Sequence, residues 1–230
     1  LKPKPYIFSG VLLLAACPGG GISNYYVYLA RSNVALSVAL TAVSCLLAAI
    51  TMPVIVGVYE LYLNNPLDFS MPFPIIFGQL LFMLVIPTTL GMYLRHFKPV
   101  FTEKYQAAFR GVSIVALIII VGFIVYQEAG NLLLGIADSV LASIVFIVLS
   151  MIGGIGLGWI LGLSADDRFT LLVEFAVRNV AIATAIAVTV LNRTEFAVFA
   201  TVYFLTQVPL VILVIIFFKK LQPYHYVPPS

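Results

Sequence analysis

The 230-residue sequence predicts an all-α, multi-pass membrane protein. Two observations carry that fold class. Hydrophobic residues make up 62% of the chain and charged residues 9%, with a mean hydropathy of +1.12, so the bilayer is its main solvent. Crossing a hydrocarbon core of about 30 Å takes about 20 apolar residues, and several such runs fit between short polar stretches. The alternating segments of about 10 residues expected of a β-barrel are absent. Residues 1–230 read as one transmembrane domain. The net charge of +3 comes without a basic run, so nothing points to nucleic acid. Cys17 and Cys45 lie in apolar context without metal-type spacing and read as small buried residues. The sequence begins at Leu1, without an initiator Met or a signal-peptide pattern, so we expect it to start partway through a longer protein.

Taken in order, the first span runs from about Tyr6 through Cys17-Pro18-Gly19-Gly20-Gly21-Ile22-Ser23-Asn24 to Ala30, and Arg31-Ser32-Asn33 forms a tight turn. The second, Val34 to about Tyr59, carries Ser37, Thr41 and Ser44 at i, i+4 and i+7, so the three hydroxyls share a face. A polar loop from Glu60 to Ser70 leads through Met71-Pro72-Phe73-Pro74 into a third span to about Leu94, with a kink at Pro87-Thr88-Thr89. Arg95 to Arg110 reads as a basic loop and Gly111 to about Tyr126 as the fourth span. The fifth lies between about Asp138 and Leu163, where Gly154, Gly158 and Gly162 recur every four residues and permit close helix contact. A sixth span, about Phe169 to Leu191, contains Glu174, Arg178 and Asn179; a seventh, Phe196 to Phe218, is kinked at Pro209 and closes on Lys219-Lys220.

Seven crossings place successive loops on alternating sides. Eight basic residues (Arg31, Arg95, Lys98, Lys104, Arg110, Arg168, Lys219, Lys220) then face three (Lys2, Lys4, Arg193). The positive-inside rule puts the C-terminus in the cytoplasm and the visible N-terminus outside a cell membrane, plasma or inner.

Two polar interruptions stand out. Pro18 removes a donor, the glycines admit conformations that other residues resist, and Ser23 and Asn24 bring oxygen ligands. A Pro-Gly cluster also reads as a loop between two helices, but at membrane depth a break survives only where protein or a watery cavity satisfies its backbone. The second interruption is Glu174 to Asn179, where a charge costs about 2.5–3.5 kcal/mol at the bilayer centre on insertion scales. If that segment stays helical, Glu174 and Arg178 pair on one face as a structural ion pair; otherwise they mark a functional site. Interrupted segments at corresponding positions of two halves point to a transporter built from inverted repeats.

Cys17 to Asn24, followed by Tyr28-Leu29-Ala30-Arg31-Ser32-Asn33-Val34-Ala35-Leu36-Ser37-Val38 and Thr41, resembles the bile acid/sodium symporter family. Glu174-Phe175-Ala176-Val177-Arg178-Asn179 is similar in part to that family's second signature, Glu-x-Gly-x-Gln-Asn. The resemblance implies a fold of two inverted five-helix repeats, divided into core and panel, whose fourth and ninth helices unwind where they cross. This chain then supplies helices four to ten, N-terminally truncated. It further implies a Na⁺ site formed by Ser23, Asn24, Ser37, Thr41 and Glu174, and a second involving Glu174, the carbonyl near Val177 and the signature's Gln. Here Ala176 replaces the Gly and Arg178 the Gln. A guanidinium has only donors and cannot coordinate a cation, which suggests that Arg178 takes over the role of the second ion. Asn24, Asn179 and Arg178 are the candidate substrate contacts, although an Asn also serves as a cap or an interhelical hydrogen bond.

The expected function is sodium-coupled symport of a small organic anion, with Na⁺ as coupling ion and no other cofactor. The alternative is a sodium-independent or proton-coupled carrier with Arg178 as built-in cation and Glu174 titrating. An intramembrane enzyme is a remote reading. His96 and His225 lie in a loop and in the tail, away from any Gly-x-Ser-Gly nucleophile, and Asp138 has no second membrane Asp beside it.

Overall fold

The computed structural model describes residues 5–62, 74, 77–78, 81–127, 129–190 and 194–221. Apart from short connections and one isolated bridge, those residues are helical. Before the first break stands α1 (Pro5–Ala16), and after it α2 (Ile22–Ala30) and α3 (Val34–Tyr62). A π-helical turn (Leu81–Val85) leads into α4 (Ile86–Phe97), followed by α5 (Pro99–Gln127) and α6 (Ala129–Ile160). Then come α7 (Ala165–Ala176), α8 (Val180–Ala185) with a π-helical turn (Ile186–Val190), and α9 (Thr194–Leu221). Among the described residues three stretches are long and apolar enough to cross a membrane: Val34–Ile55, Ala137–Ile160 and Phe196–Leu221. Ile7–Ala16 and Val180–Thr189 are shorter apolar helices.

Local chemistry sets the boundaries. Arg31 takes the left-handed conformation (φ 58°) and its N–H closes α2 on the carbonyls of Val27 and Tyr28. Asn33 starts α3 by accepting from Leu36 N at 3.0 Å. Ser164 caps α7 through Asp167 N at 3.2 Å. The turn between α2 and α3 is tied to the start of α7, since Ser32 Oγ donates to Asp166 O at 2.6 Å and Asn33 Nδ2 to Asp167 Oδ1 at 2.7 Å.

The interior gathers around α1, α7 and α9, with Leu14, Val27, Met52, Ile147, Val173, Phe199 and Tyr203 almost completely enclosed. Helix α6 packs most extensively on α7, and α9 lies against α1, α6 and α8. The outward faces of α5, α6 and α9 carry exposed Val112, Ile118, Leu141, Leu149, Leu213 and Phe217, as a surface facing acyl chains requires.

Several expectations are corrected. The basic loop of residues 95–110 is nearly all helix: Arg95 and His96 close α4, Lys98 alone is non-helical, and Pro99 opens α5. Proline is well suited to a helix start, and the helix formers Glu103, Lys104 and Gln106 then propagate it. The polar loop expected at Glu60 to Ser70 is helical to Tyr62; its remainder, with Met71 to Phe73, lies outside the described residues, as do Lys2, Lys4, Arg193 and His225. The irregularity at Pro87 takes the form of the π-helical turn just before it. The sixth span is no continuous helix, because α7 ends at Ala176. Of the three spaced glycines, Gly154 and Gly158 sit against α7, whereas Gly162 (φ 65°) lies past the end of α6, where an added Cβ would meet nothing within 4 Å.

A side chain at position 154 would place its Cβ 2.5 Å from the carbonyl oxygen of Leu171. Gly154→Leu is therefore expected to force α6 and α7 apart at a cost of about 1–3 kcal/mol, read as a lower Tm in detergent, while Gly156→Leu, with open space around it, leaves Tm unchanged.

Candidate functional site

The two polar interruptions meet. After α1, residues 17–21 leave the helix; after α7, residues 177–179 do the same, with Val177 extended (φ −101°, ψ 99°). The two segments run antiparallel and pair at Gly19 and Arg178. Gly20 N donates to Val177 O at 2.8 Å, and Asn179 N to Pro18 O at 2.9 Å. Backbone groups freed by both breaks thus satisfy one another, as an interrupted membrane helix requires. Gly20 is required for this approach, since a Cβ there would lie 2.7 Å from Arg178 O, whereas one on Gly19 would crowd the Glu174 carboxylate, with its Cβ 2.9 Å from Oε2. Tyr203 Oη donates to Ala176 O at 2.6 Å, capping the last carbonyl of α7.

Glu174, in the last turn of α7, is 6% exposed and surrounded by hydroxyls from two other helices. Its Oε1 accepts from Ser23 Oγ at 2.5 Å and from Ser37 Oγ; its Oε2 accepts from Thr41 Oγ1 at 3.0 Å. Ser37 Oγ also lies 2.8 Å from Asn24 Oδ1, and Ser23 Oγ 3.4 Å from Thr41 Oγ1. All five residues expected to form a cation site therefore converge, contributed by α2 (Ser23, Asn24), α3 (Ser37, Thr41) and α7 (Glu174). The cluster holds one carboxylate and otherwise neutral oxygens. Ser37 carries one proton but faces two acceptors, Glu174 Oε1 and Asn24 Oδ1, so the oxygens have more lone pairs than the hydroxyls can serve. A hard cation is the partner that satisfies such a set.

The other candidates are placed differently. Val177 O is engaged by Gly20 N. Asn179 is half-buried and caps α8, its Oδ1 accepting from Ile182 N at 3.2 Å. Arg178 lies two residues beyond the end of α7, which overturns the helical i,i+4 pairing with Glu174. Its Nη1 points instead to Cys17 O at 3.4 Å, and its Nε is buried without a hydrogen-bond partner. Glu174 and Arg178, with Gly19, Leu40, Ser44 and Phe175, line a half-open cavity of about 220 Å³.

Ser44 is the contributor that the candidate set lacked. Its Oγ accepts from Gly19 N at 3.1 Å and donates to Thr41 O at 2.8 Å, tying the first break to α3. The i+7 spacing from Ser37 was the available signal. Tyr203 carried none, because it joins the site from α9 through the backbone of residue 176.

A family model described as the sodium bile acid symporter family matches residues 1–135. The chain is 26% identical over 181 residues to a probable sodium/metabolite cotransporter of the chloroplast from Arabidopsis thaliana, covering 78% of this chain and 43% of that protein. It is 35% identical over 124 residues to the ileal sodium/bile acid cotransporter of Cricetulus griseus, covering 52% and 34%. An uncharacterised sodium-dependent transporter from Bacillus subtilis is 29% identical over 184 residues, covering 77% and 54%. The chain thus spans between about a third and about half the length of these relatives.

The pairing of the two breaks makes a local prediction. Gly20→Ala is expected to push the segments apart, with a loss of about 1–3 kcal/mol as buried donors and acceptors lose their partners. The measurements are Tm and hydrogen exchange at residues 17–21 and 177–179. Gly21→Ala, with nothing within 4 Å, serves as the control and leaves both unchanged.

Proposed function

The chain belongs to the sodium bile acid symporter family, a family of transporters and not of enzymes, and on that premise we propose sodium-coupled symport of a small organic anion as its function. The observation that carries this reading is the oxygen cage around Glu174 at the meeting of the two breaks. Na⁺ favours several hard oxygens and one negative charge, and Ser23, Asn24, Ser37, Thr41 and Glu174 supply them. When the ion enters, the hydroxyl protons turn outward and their lone pairs inward. The helix ends agree in sign: α1 and α7 bring their C-terminal, partly negative ends to the breaks, and α2 brings its partly positive N-terminus. The cavity beside the cage accepts the anion on Arg178, with Asn24 and Asn179, at the two breaks but outside that cavity's lining, as further candidate contacts. A cation that binds one arrangement of α2, α3 and α7 more tightly than another shifts the balance between them, and that differential is the coupling in alternating access.

The frame we infer for this cycle is the one read from the sequence: one transmembrane domain of seven spans, corresponding to helices four to ten of two inverted repeats, in a plasma or inner cell membrane. The eight-to-three distribution of basic residues supports a cytoplasmic C-terminus and an outer N-terminus.

In vesicles holding the full-length protein, an inward sodium gradient is expected to drive uptake of a labelled organic anion, and Glu174→Gln to abolish that dependence. Thr41→Ala removes one neutral ligand and should weaken apparent Na⁺ affinity about tenfold, near 1.4 kcal/mol. Uptake indifferent to sodium in the unmutated protein overturns the reading.

One observation favours a second reading, in which Arg178 replaces one sodium and the carrier is sodium-independent or driven by protons through Glu174. A guanidinium already stands at the crossing, on Cys17 O and beside the cavity that Glu174 lines. Arg178→Gln is then expected to raise the number of sodium ions moved per anion by one, measured from reversal potentials. An unchanged ratio excludes it.

A further inference from the structure

At the end of α7 away from the crossing, α6, α7 and α9 enclose an open groove of about 490 Å³. Ile155 and Trp159 of α6, Leu172 of α7, and Val214, Phe217 and Leu221 of α9 form its walls. Phe169 and Phe218, stacked at 3.9 Å between centroids, also border it. Among the described residues, the one charged group in this apolar lining is Arg168. Its guanidinium carbon lies 3.7 Å from the centre of the Trp159 ring, and its Nε donates to Ser164 O at 3.4 Å. A guanidinium held by an aromatic face and one backbone carbonyl still carries donors suited to a phosphate.

Position and charge together select an occupant. The groove lies where the apolar stretches Ala137–Ile160 and Phe196–Leu221 end, which is headgroup level for a spanning helix, and Trp159 is the kind of residue found there. Below that level the walls offer only apolar surface. Lys219 and Lys220, exposed in the last turn of α9, add positive charge at the same end of that helix but do not line the groove. Two acids share the first turn of α7 with Arg168: Asp167 is taken up by Asn33 and Ser164, and Asp166 is exposed outside the groove's lining. We propose that this groove binds an anionic phospholipid, with an acyl chain between α6 and α9 and the phosphate on Arg168. A lipid seated there buttresses α7, the half-helix that carries Glu174.

Trp159 is the only tryptophan in this sequence, so its fluorescence reports occupancy directly. The full-length protein, with Trp159 kept as its single tryptophan, is reconstituted with phosphatidylcholine or phosphatidylglycerol brominated along the acyl chains. Basic side chains near a membrane surface are worth about 1 kcal/mol each, so the anionic lipid is expected to occupy the groove about fivefold more readily at equal mole fraction. Arg168→Gln should remove most of that preference and Arg168→Lys retain part of it. Val214→Phe, which fills the groove without touching charge, should reduce quenching by the anionic lipid. Equal quenching by both headgroups means annular lipid only and overturns the proposal. So does a preference that survives Arg168→Gln, or quenching that Val214→Phe leaves unchanged.

Discussion

Burying the carboxylate of Glu174 is the constraint around which the rest is arranged. An ionised group in hydrocarbon is expensive, and its cost falls only where hydrogen bonds or a counter-charge reach it. Here three hydroxyls reach it, one from α2 and two from α3. For them to arrive, α2 must begin within a few residues of the crossing and α3 must turn back alongside it, which the left-handed Arg31 and the cap at Asn33 accomplish. The ties from Ser32 and Asn33 to the start of α7 fix the far end of the same assembly. The carboxylate is thus held by helices that are also anchored to one another elsewhere.

Two broken helices set the other half of the problem, since each break frees donors and acceptors that lipid cannot satisfy. The solution is reciprocal: the short extended segments pair like a fragment of antiparallel sheet. Glycine is required at 20 because the other segment's backbone passes directly over it, not because a turn demands unusual dihedrals, while a side chain at 19 would press on the Glu174 carboxylate. Ser44 and Tyr203 then secure the flanks, one on Gly19 N and the other on Ala176 O. Function and fold share these atoms, because the backbone that the crossing leaves outside helices is the backbone that brings residue 174 to the hydroxyls.

How much of this could be read from the letters follows from how each feature is encoded. The first break announces itself through Pro18 and three consecutive glycines, and Ser37, Thr41 and Ser44 declare a shared face by spacing alone. The second break contains neither Pro nor Gly. Val177 and Asn179 leave the helix because the first segment offers them partners, a tertiary cause that no local pattern displays. The extent of α5 was hidden for the opposite reason: Lys104 and Arg110 suggest a loop by polarity, yet helix propensity carries the chain straight through them. Gly162 kept the four-residue rhythm of its predecessors but falls past the end of α6, so its spacing reflects a helix stop.

The guanidinium at position 178 sets the electrostatics of the crossing in a definite direction. Arg178 is a positive charge near Glu174, and it offsets part of the negative potential of the oxygen cluster. A sodium ion at the cage therefore meets a less negative surrounding than it would beside a neutral side chain, while an anion in the adjoining cavity meets a more positive one. The lone pairs of Cys17 O hold only one of the donors, and Nε stays buried without a partner. A buried polar group left unserved costs about 1–3 kcal/mol, a cost that falls when a ligand oxygen reaches it. Binding an anion beside Arg178 would thus lower the energy of the crossing itself, linking occupancy of the cavity to the geometry that holds Glu174 among its hydroxyls.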